Sequence, residues 1–448
     1  MPNSKEITFR GRQYTVTYDT RRNILIIINP RGEAIETARD SEFAYRVCTD
    51  GSRKQILLEA DAHAEFFIEL IEAAWEAKPA TDEEKFFEAA TSSYEEDIEH
   101  LKGTLNIAVI GKVSSGKSSL INALLMRSRY NPLAEVGVEA GVTTKLRVFR
   151  LDEHVRLVDS PGIDDIKKDN SEITKEFIGN IDLGILVVTD AANESQKLIY
   201  DNLRHECGMV FVALNKVDLY DCYAEGALAR VISQWCECLN IAKLYPICTF
   251  GYDPDLPSST ELNLRGIDEL RKDIEAFLET KQKKLLLARH MSEKRSYAKG
   301  IIATAIAAVG VQAALPGKAA FITATQLTAI ASLHYLYKGS VLSKSSAWAV
   351  LPVFAGQAVA TNVFLFFTSF LPPTGVVEVA AAVTAISITS AMLLAVNFTL
   401  SNGFDLQDVD LLTSKFREYK DTISRATRIR SPGDLKHLNI EHLLKELL

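Results

Sequence analysis

No block of lysine and arginine interrupts this chain, and little in it offers a metal site or a disulfide. Across 448 residues, 58 acidic side chains outnumber 50 basic ones, for a formal net charge of −8. A protein that grips nucleic acid through its phosphates needs a basic stripe. Nucleic acid is therefore not an expected partner beyond a small local patch. Cysteine is sparse, with six residues at positions 48, 207, 222, 236, 238 and 248. Cys236 and Cys238 form one C-x-C with no second pair and no suitably spaced histidine. That argues against zinc and for free thiols in a reducing, cytoplasmic setting. The opening MPNSKEITFR has no apolar core, so no secretory leader is expected there. Repeats and low-complexity tracts are absent. Charge is scarcest late in the chain, where Glu378 is the single charged residue between Lys344 and Asp405.

What is present divides into stretches of different rhythm. Residues 5–28 alternate as a β-hairpin turning around TRRN, and 56–77 has helical apolar spacing that stops before Pro79. A second helix, about 82–101, sets Phe86, Phe87, Tyr94, Ile98 and Leu101 among many acidic residues. From 103 to 284, short apolar strands (LNIAVI, KLRVFRL, VRLVDS, LGILVVTD, VFVALN, KLYPIC) alternate with amphipathic helices. This pattern predicts an α/β fold, a mostly parallel sheet with helices on both faces. After 285 the pattern is helical, with apolar segments at about 300–315, 319–337, 346–371 and 376–399. The expected organisation is an N-terminal β module at 1–55, linking helices at 56–102, the α/β domain at 103–284 and a hydrophobic all-α domain at 285–448.

The stretch GKVSSGKSS at 111–119 follows the strand LNIAVI and precedes the helical SLINALL. Gly111, Gly116, Lys117 and Ser118 stand in the G-x-x-x-x-G-K-S register, and strand–loop–helix is the context in which that register holds phosphate. Backbone N–H groups from Ser114 to Ser119, helped by the helix N-terminus, would cradle the phosphates. Lys117 would reach the β- and γ-phosphates, and the Ser118 hydroxyl would ligate Mg²⁺. The loop alone leaves ATP and GTP open. DSPG at 159–162 closes a strand 42 residues beyond Lys117, and NKVD at 215–218 closes another 56 residues later. Asp159 would hold Mg²⁺ through water, and the Gly162 N–H would sense the γ-phosphate. Asp218 can accept from guanine N1–H and N2–H₂, a pattern adenine does not offer. Asn215 would support the base from its other edge, with the Lys216 stem against the ring. Three ordered motifs, each at a strand end, specify a guanine-nucleotide site.

On these motifs, residues 103–284 resemble the translation-factor-related class of P-loop GTPases. The resemblance implies GTP and GDP as ligands, Mg²⁺ as cofactor and hydrolysis of GTP. It also makes GVTTK at 141–145 the first switch, with Thr144 closing on Mg²⁺ and Thr143 the runner-up. The last base-contacting loop is usually Ser-Ala, and here Cys248 and Thr249 occupy it. Many such enzymes orient water with a glutamine after the D-x-x-G glycine, and this chain has Ile163. The missing group would come from a cation such as K⁺, from a second G domain or from another partner. VSSGKSS also resembles the phosphate loops of dynamin-like and immunity-related GTPases, which implies a catalytic role for Ser114 once G domains pair. The alternative is that Ser114 only tolerates the turn.

The segment LPGKAAFITATQLTAIASLHYLY resembles a bacterial domain of unknown function found after GTPase domains and shared with an inner-membrane family. The stretches 346–371 and 376–399 are each near the ~20 residues needed to span a bilayer. LPPTG between them would make a hairpin with Glu378 near its tip. Their Ala, Thr, Ser, Gln357 and Asn362 suit close helix packing in a protein core equally. The leading expectation is a GTP-hydrolysing switch of bacterial type that self-associates through its G domains and couples to membrane lipid. The alternatives are a nucleotide-held scaffold with little turnover and a ribosome-assembly GTPase.

Overall fold

The computed structural model describes residues 4–19, 22–32, 34–41, 44–49, 52–57, 62–76, 82–134, 147–160, 180–312, 318–355 and 378–426. Its first unit is a six-stranded antiparallel meander: β1 (Ser4–Phe9), β2 (Arg12–Asp19), β3 (Ile24–Ile28), β4 (Ala34–Ser41), β5 (Ala44–Thr49) and β6 (Ser52–Leu57). Alternation along β2 and β3 turns Tyr14, Val16, Leu25 and Ile27 to one face. Leu70, Ile71 and Ala74 of α1 (Ala62–Glu76) cover them. The turn around TRRN holds between β2 and β3, but the first arm of the expected hairpin is corrected: it is itself two antiparallel strands, β1 and β2, turning at Arg10 and Gly11. The expected helix from 56 is corrected, because Ile56 and Leu57 end β6 and α1 begins at Ala62. β4 to β6 are rich in charged and small residues, and their two-residue rhythm is correspondingly faint.

The α/β domain has strand order β12 (Tyr245–Pro246), β11 (Val210–Leu214), β10 (Leu183–Val188), β7 (Leu105–Ile110), β9 (Val155–Ser160), β8 (Arg147–Arg150), with only β8 antiparallel to its neighbour. The side chains of β7 show why both faces are covered. Ile107 and Val109 join one core with Leu120 and Ile121 of α3 (Lys117–Leu124) and with Leu270 and Ile274 of α6 (Ile267–Thr280). Ala108 and Ile110 join the other, with Tyr200 and Leu203 of α4 (Glu194–Glu206) and Trp235 of α5 (Ala227–Leu239). Strands buried on both faces read as continuous apolar runs. The fold expected from the sequence is the fold observed.

The short α7 (Lys284–Ala288) leads into α8 (Arg295–Gln312), α9 (Lys318–Lys338), α10 (Lys344–Ala355), α11 (Glu378–Ser401) and α12 (Val409–Ala426). The acidic helix α2 (Asp82–Ile98) packs along α9. Its Tyr94 hydroxyl donates to the Leu342 carbonyl at 2.9 Å, and the Trp348 indole donates to Thr91 Oγ1 at 3.1 Å. In α11 every residue from Ile388 to Val396 is buried in the protein. A helix apolar all round belongs at the centre of a bundle or in a bilayer, and for this part of α11 the partners are α8, α9 and α12. Among the described residues no helix is long and apolar enough to cross a membrane. The segment 346–371 is described only through Ala355, and the rest of it, with LPPTG, lies outside the described residues.

Residues 289–294 join the two domains through charge. Asp152, in the turn between β8 and β9, forms an ion pair with Arg289 Nη1 at 2.8 Å and lies 3.0 Å from His290 Nε2. Burial, reinforced by the charges of Arg289 and Lys294 and opposed by Asp152, pushes the His290 pKa down from 6.5 to about 4. Between those values the unfolded chain binds a proton that the native protein does not, so stability falls as pH drops through that window. At pH 5 the loss relative to pH 7 is expected to be about 2 kcal/mol. Urea unfolding at the two pH values measures it, and His290→Gln should remove that share of the difference.

Candidate guanine-nucleotide site

The site lies at the carboxyl ends of β7, β9 and β11, where an open parallel sheet leaves a crevice for ligands. From β7 the chain curls through Ser114, at φ +60°, and Gly116, at φ +87°, into the start of α3. Gly116 is required twice over, by its left-handed backbone and by space: a Cβ there would meet Asn215 Nδ2 at 2.2 Å. Lys117 is almost fully buried, and its ammonium folds back on the loop, donating to the Gly111 and Lys112 carbonyls at 3.0 Å each. It stands 3.7 Å from Asp159 Oδ1. Burial pulls its pKa below the ordinary lysine value, against the opposing pull of Asp159.

Ser118 Oγ donates to Asp159 Oδ2 at 2.8 Å. Asp159 is fully buried, and its Oδ1 has no hydrogen-bond partner; the buried Ser115 Oγ of the loop has none either. Buried polar atoms without partners are costly, and here they are hard oxygen donors facing a phosphate loop. This donor set fits Mg²⁺, which takes one or two protein oxygens and completes its shell with water and substrate phosphate. Among the described residues no group of three or more His, Cys, Asp or Glu could hold a metal alone. A cation here would therefore depend on nucleotide oxygens as well.

The base side is built at the end of β11. The buried Asn215 amide donates to the Ser115 carbonyl at 2.9 Å and to Thr249 Oγ1 at 3.0 Å, while its oxygen accepts the Lys216 N–H at 2.8 Å. Asn215 thus ties the phosphate loop to the base loop from behind. Asp218 lies in the first turn of a 3₁₀ helix, Val217–Cys222, and its Oδ1 accepts from Cys248 Sγ at 3.2 Å. Burial raises the Cys248 thiol pKa, so the thiol stays protonated and keeps donating. Cys248 and Thr249, which the resemblance places at the base, are both buried, with Thr249 bonded to Asn215 and Cys248 to Asp218.

Gly111, Ser114, Ser115, Gly116, Lys117, Ser118, Ser119, Asp159, Asn215, Lys216, Asp218, Cys248 and Thr249 converge on this crevice; Thr143, Thr144, Gly162 and Ile163 lie outside the described residues. Two further residues support the loop from outside the three nucleotide motifs, Asn122 with no motif of its own and Arg271 at the end of GIDELR, 266–271. Asn122, fully buried in α3, accepts the Leu133 and Ala134 N–H groups and donates to the Ala134 carbonyl at 2.7 Å. It anchors the chain just before the expected first switch, and its one sequence signal is an amide on an apolar helix face. Arg271 caps the other end of α3 by donating to the Leu124 and Ala123 carbonyls.

The strand order, the G-x-x-x-x-G-K-S turn between β7 and α3 and the Ser118–Asp159 contact beside it are those of a P-loop GTPase fold. Residues 106–216 match the family model described as 50S ribosome-binding GTPase. Among curated proteins the chain is similar to GTPase grn1 of Schizosaccharomyces pombe, 52% identical over 65 residues, covering 14% of this chain and 14% of that one. It is also similar to GTPase Der of Buchnera aphidicola, 26% identical over 200 residues, covering 42% of this chain and 41% of that one. The chain thus spans less than half the length of these relatives. Among solved structures, Era in complex with MgGDPNP and a segment of 16S ribosomal RNA is 22% identical, with TM-score 0.27, covering 38% of this chain and 56% of that one.

Proposed function

We propose that this protein binds GTP with Mg²⁺ and hydrolyses it to GDP and phosphate, using the cycle to alter how the helical domain at 285–448 is held. The observation that carries this reading is the Ser118–Asp159 contact beside Lys117, with Asp159 Oδ1 facing the Lys117 ammonium and left without a hydrogen bond next to the phosphate loop. Lys117 would leave its two carbonyls for the β- and γ-phosphates. Ser118 and Asp159 would hold Mg²⁺, which neutralises phosphate charge when bound. Thr144 of the first switch and the Gly162 N–H of DSPG would close onto the γ-phosphate, and Asp218 would select the base. Ile163 offers nothing to orient water, so we assign slow turnover to the isolated chain and faster turnover once Ser114, K⁺, a second G domain or a larger partner completes the site. Turnover per molecule is expected to rise with protein concentration or K⁺, and Ser118→Ala to lose its Mg²⁺ dependence. A rate indifferent to concentration and K⁺ would leave the nucleotide-held scaffold as the better account.

As the target of this cycle we propose the ribosome rather than lipid. The match to a family described as ribosome-binding favours it, and the central part of α11 is occupied by protein contacts. The acidic balance of the chain means that such binding would use a local surface. Co-sedimentation with ribosomal subunits should be stronger with a GTP analogue than with GDP. Equal absence from subunits in both states, with flotation on liposomes, would return the membrane reading.

A further inference from the structure

Two elements that carry the cation-binding residues run away from the site and end on the same short segment. Strand β9 has Asp159 at one end and the Asp152 turn at the other. Helix α3 starts at Lys117 and Ser118, and the chain just beyond its far end bonds to the interdomain segment. The Ser292 N–H donates to the Leu125 carbonyl at 3.2 Å, and Arg127 Nη2 donates to the His290 carbonyl at 3.2 Å. Asp152 closes its own turn by accepting the His154 and Val155 N–H groups on Oδ1 at 2.7 Å each. Its other oxygen is left for Arg289 and His290.

Arg289 also faces the helical domain. Its Nη1 donates to the Gly339 carbonyl at 2.6 Å, just past the end of α9, and its guanidinium lies 5.4 Å from the Tyr335 ring centroid. Gly339 has a left-handed backbone, φ +80°, and the Arg289 guanidinium occupies the place a Cβ would take. Lys294 adds a second tie, donating to the Leu336 carbonyl at 2.8 Å. Burial alone would raise the Asp152 pKa. The two turn N–H groups, with His290 and Arg289, outweigh it and hold the carboxyl below its usual range. The pair is therefore ionised and largely removed from water, with side-chain exposures of 14% for Asp152 and 20% for Arg289. Such a pair adds little net stability over an apolar substitute but fixes one geometry. Here that geometry is the register of α9 against the Asp152 end of β9.

We propose that Asp152 is a positioning residue: through Arg289 it lets the helical domain set the strand and helix that bring Asp159 and Ser118 together for Mg²⁺. The proposal rests on the GTPase reading of that site. Its flanks fit, since the β8–β9 hairpin follows the stretch expected as the first switch, 141–145, and runs into DSPG at 159–162. Movement at either end of β9 is transmitted along a strand paired on both sides, to β7 and β8.

The test uses the full chain and fluorescent GDP and GTP-analogue titrations with and without Mg²⁺. Asp152→Asn keeps the oxygen that closes the turn and removes the charge that holds Arg289. It should leave Mg²⁺-free GDP affinity and the preference for guanine within about twofold of wild type. The affinity gained on adding Mg²⁺, and the turnover, should fall about tenfold. Arg289→Lys keeps a positive charge but loses the planar guanidinium whose Nη1 meets both Asp152 and the Gly339 carbonyl; it should give the same split, and the double variant should add nothing further. Wild-type levels of Mg²⁺-dependent binding and turnover in both folded variants would overturn the proposal. So would equal losses with and without Mg²⁺, which mark a merely structural role. If neither variant folds, hydrogen exchange of wild-type 151–155 and 289–294 decides: protection must differ between GDP and GTP-analogue states. A wild type that binds no guanine nucleotide would instead refute the GTPase reading itself.

Discussion

Asp218→Asn is expected to weaken GTP binding by about a hundredfold or more and to admit xanthosine triphosphate. Guanine presents N1–H and an exocyclic N2–H₂, two donors side by side, and the carboxylate answers with two acceptors. An amide keeps one acceptor and replaces the other with a donor, which then faces the N2–H₂ group. Each hydrogen bond to a charged group is worth roughly 1.5–3 kcal/mol, and about 1.4 kcal/mol is tenfold in affinity. Xanthine carries a carbonyl where guanine has its amine, so the reversed group finds a partner again. Cys248 sharpens the expectation. Its thiol already donates to Oδ1, so the oxygen of the new amide is held on that side and its NH₂ is turned towards the base. Titration calorimetry with both nucleotides measures the switch, and undiminished GTP affinity would remove Asp218 from the base site.

Leu394→Lys should abolish a stable helical domain. Leu394 is fully buried in α11, between residues that are themselves buried on every side of the helix. Truncating a buried leucine costs about 2–5 kcal/mol, and an ammonium left without a partner in that place adds several more. The sum rivals the entire stability of an ordinary domain, about 5–15 kcal/mol. The variant is therefore expected to aggregate or to lose its sharp thermal transition by circular dichroism. Val311→Lys, at a side chain 70% exposed near the end of α8, should stay within about 0.5 kcal/mol of wild type. A soluble, folded Leu394→Lys protein that merely leaves liposomes would mean that α11 lies in lipid.

Composition could not distinguish those fates, because lipid and a protein core select the same residues. Ala391 to Val396 read as buried in any reading; what buries them is decided by α8, α9 and α12, which pack there from other parts of the chain. The nucleotide site was open to sequence because its chemistry is local. A phosphate loop needs its glycines, lysine and serine within one turn of chain, and a base loop needs its carboxylate at a strand end. Asn122 was hidden because one buried amide carries no motif. Asp152 and Arg289 were hidden because a contact across 137 positions leaves no spacing to read. β4 to β6 went unseen for a third reason. Strands such as AIETARDS and SRKQIL are held by their neighbours' hydrogen bonds, with few apolar side chains to mark them.

The Asn215 tie changes what a motif match means. Asn215 gives one proton to the Ser115 carbonyl, and it fills the space that a side chain on Gly116 would need. The glycine of the phosphate loop and the asparagine of the base loop, 99 residues apart, are thus two halves of one contact. Their joint occurrence in a sequence is not two coincidences multiplied together. A phosphate loop transplanted into a scaffold without that asparagine would carry an unanswered carbonyl and a hollow behind its glycine. Likewise, a sequence showing the first motif without the second points to a differently backed loop, and so to a different nucleotide.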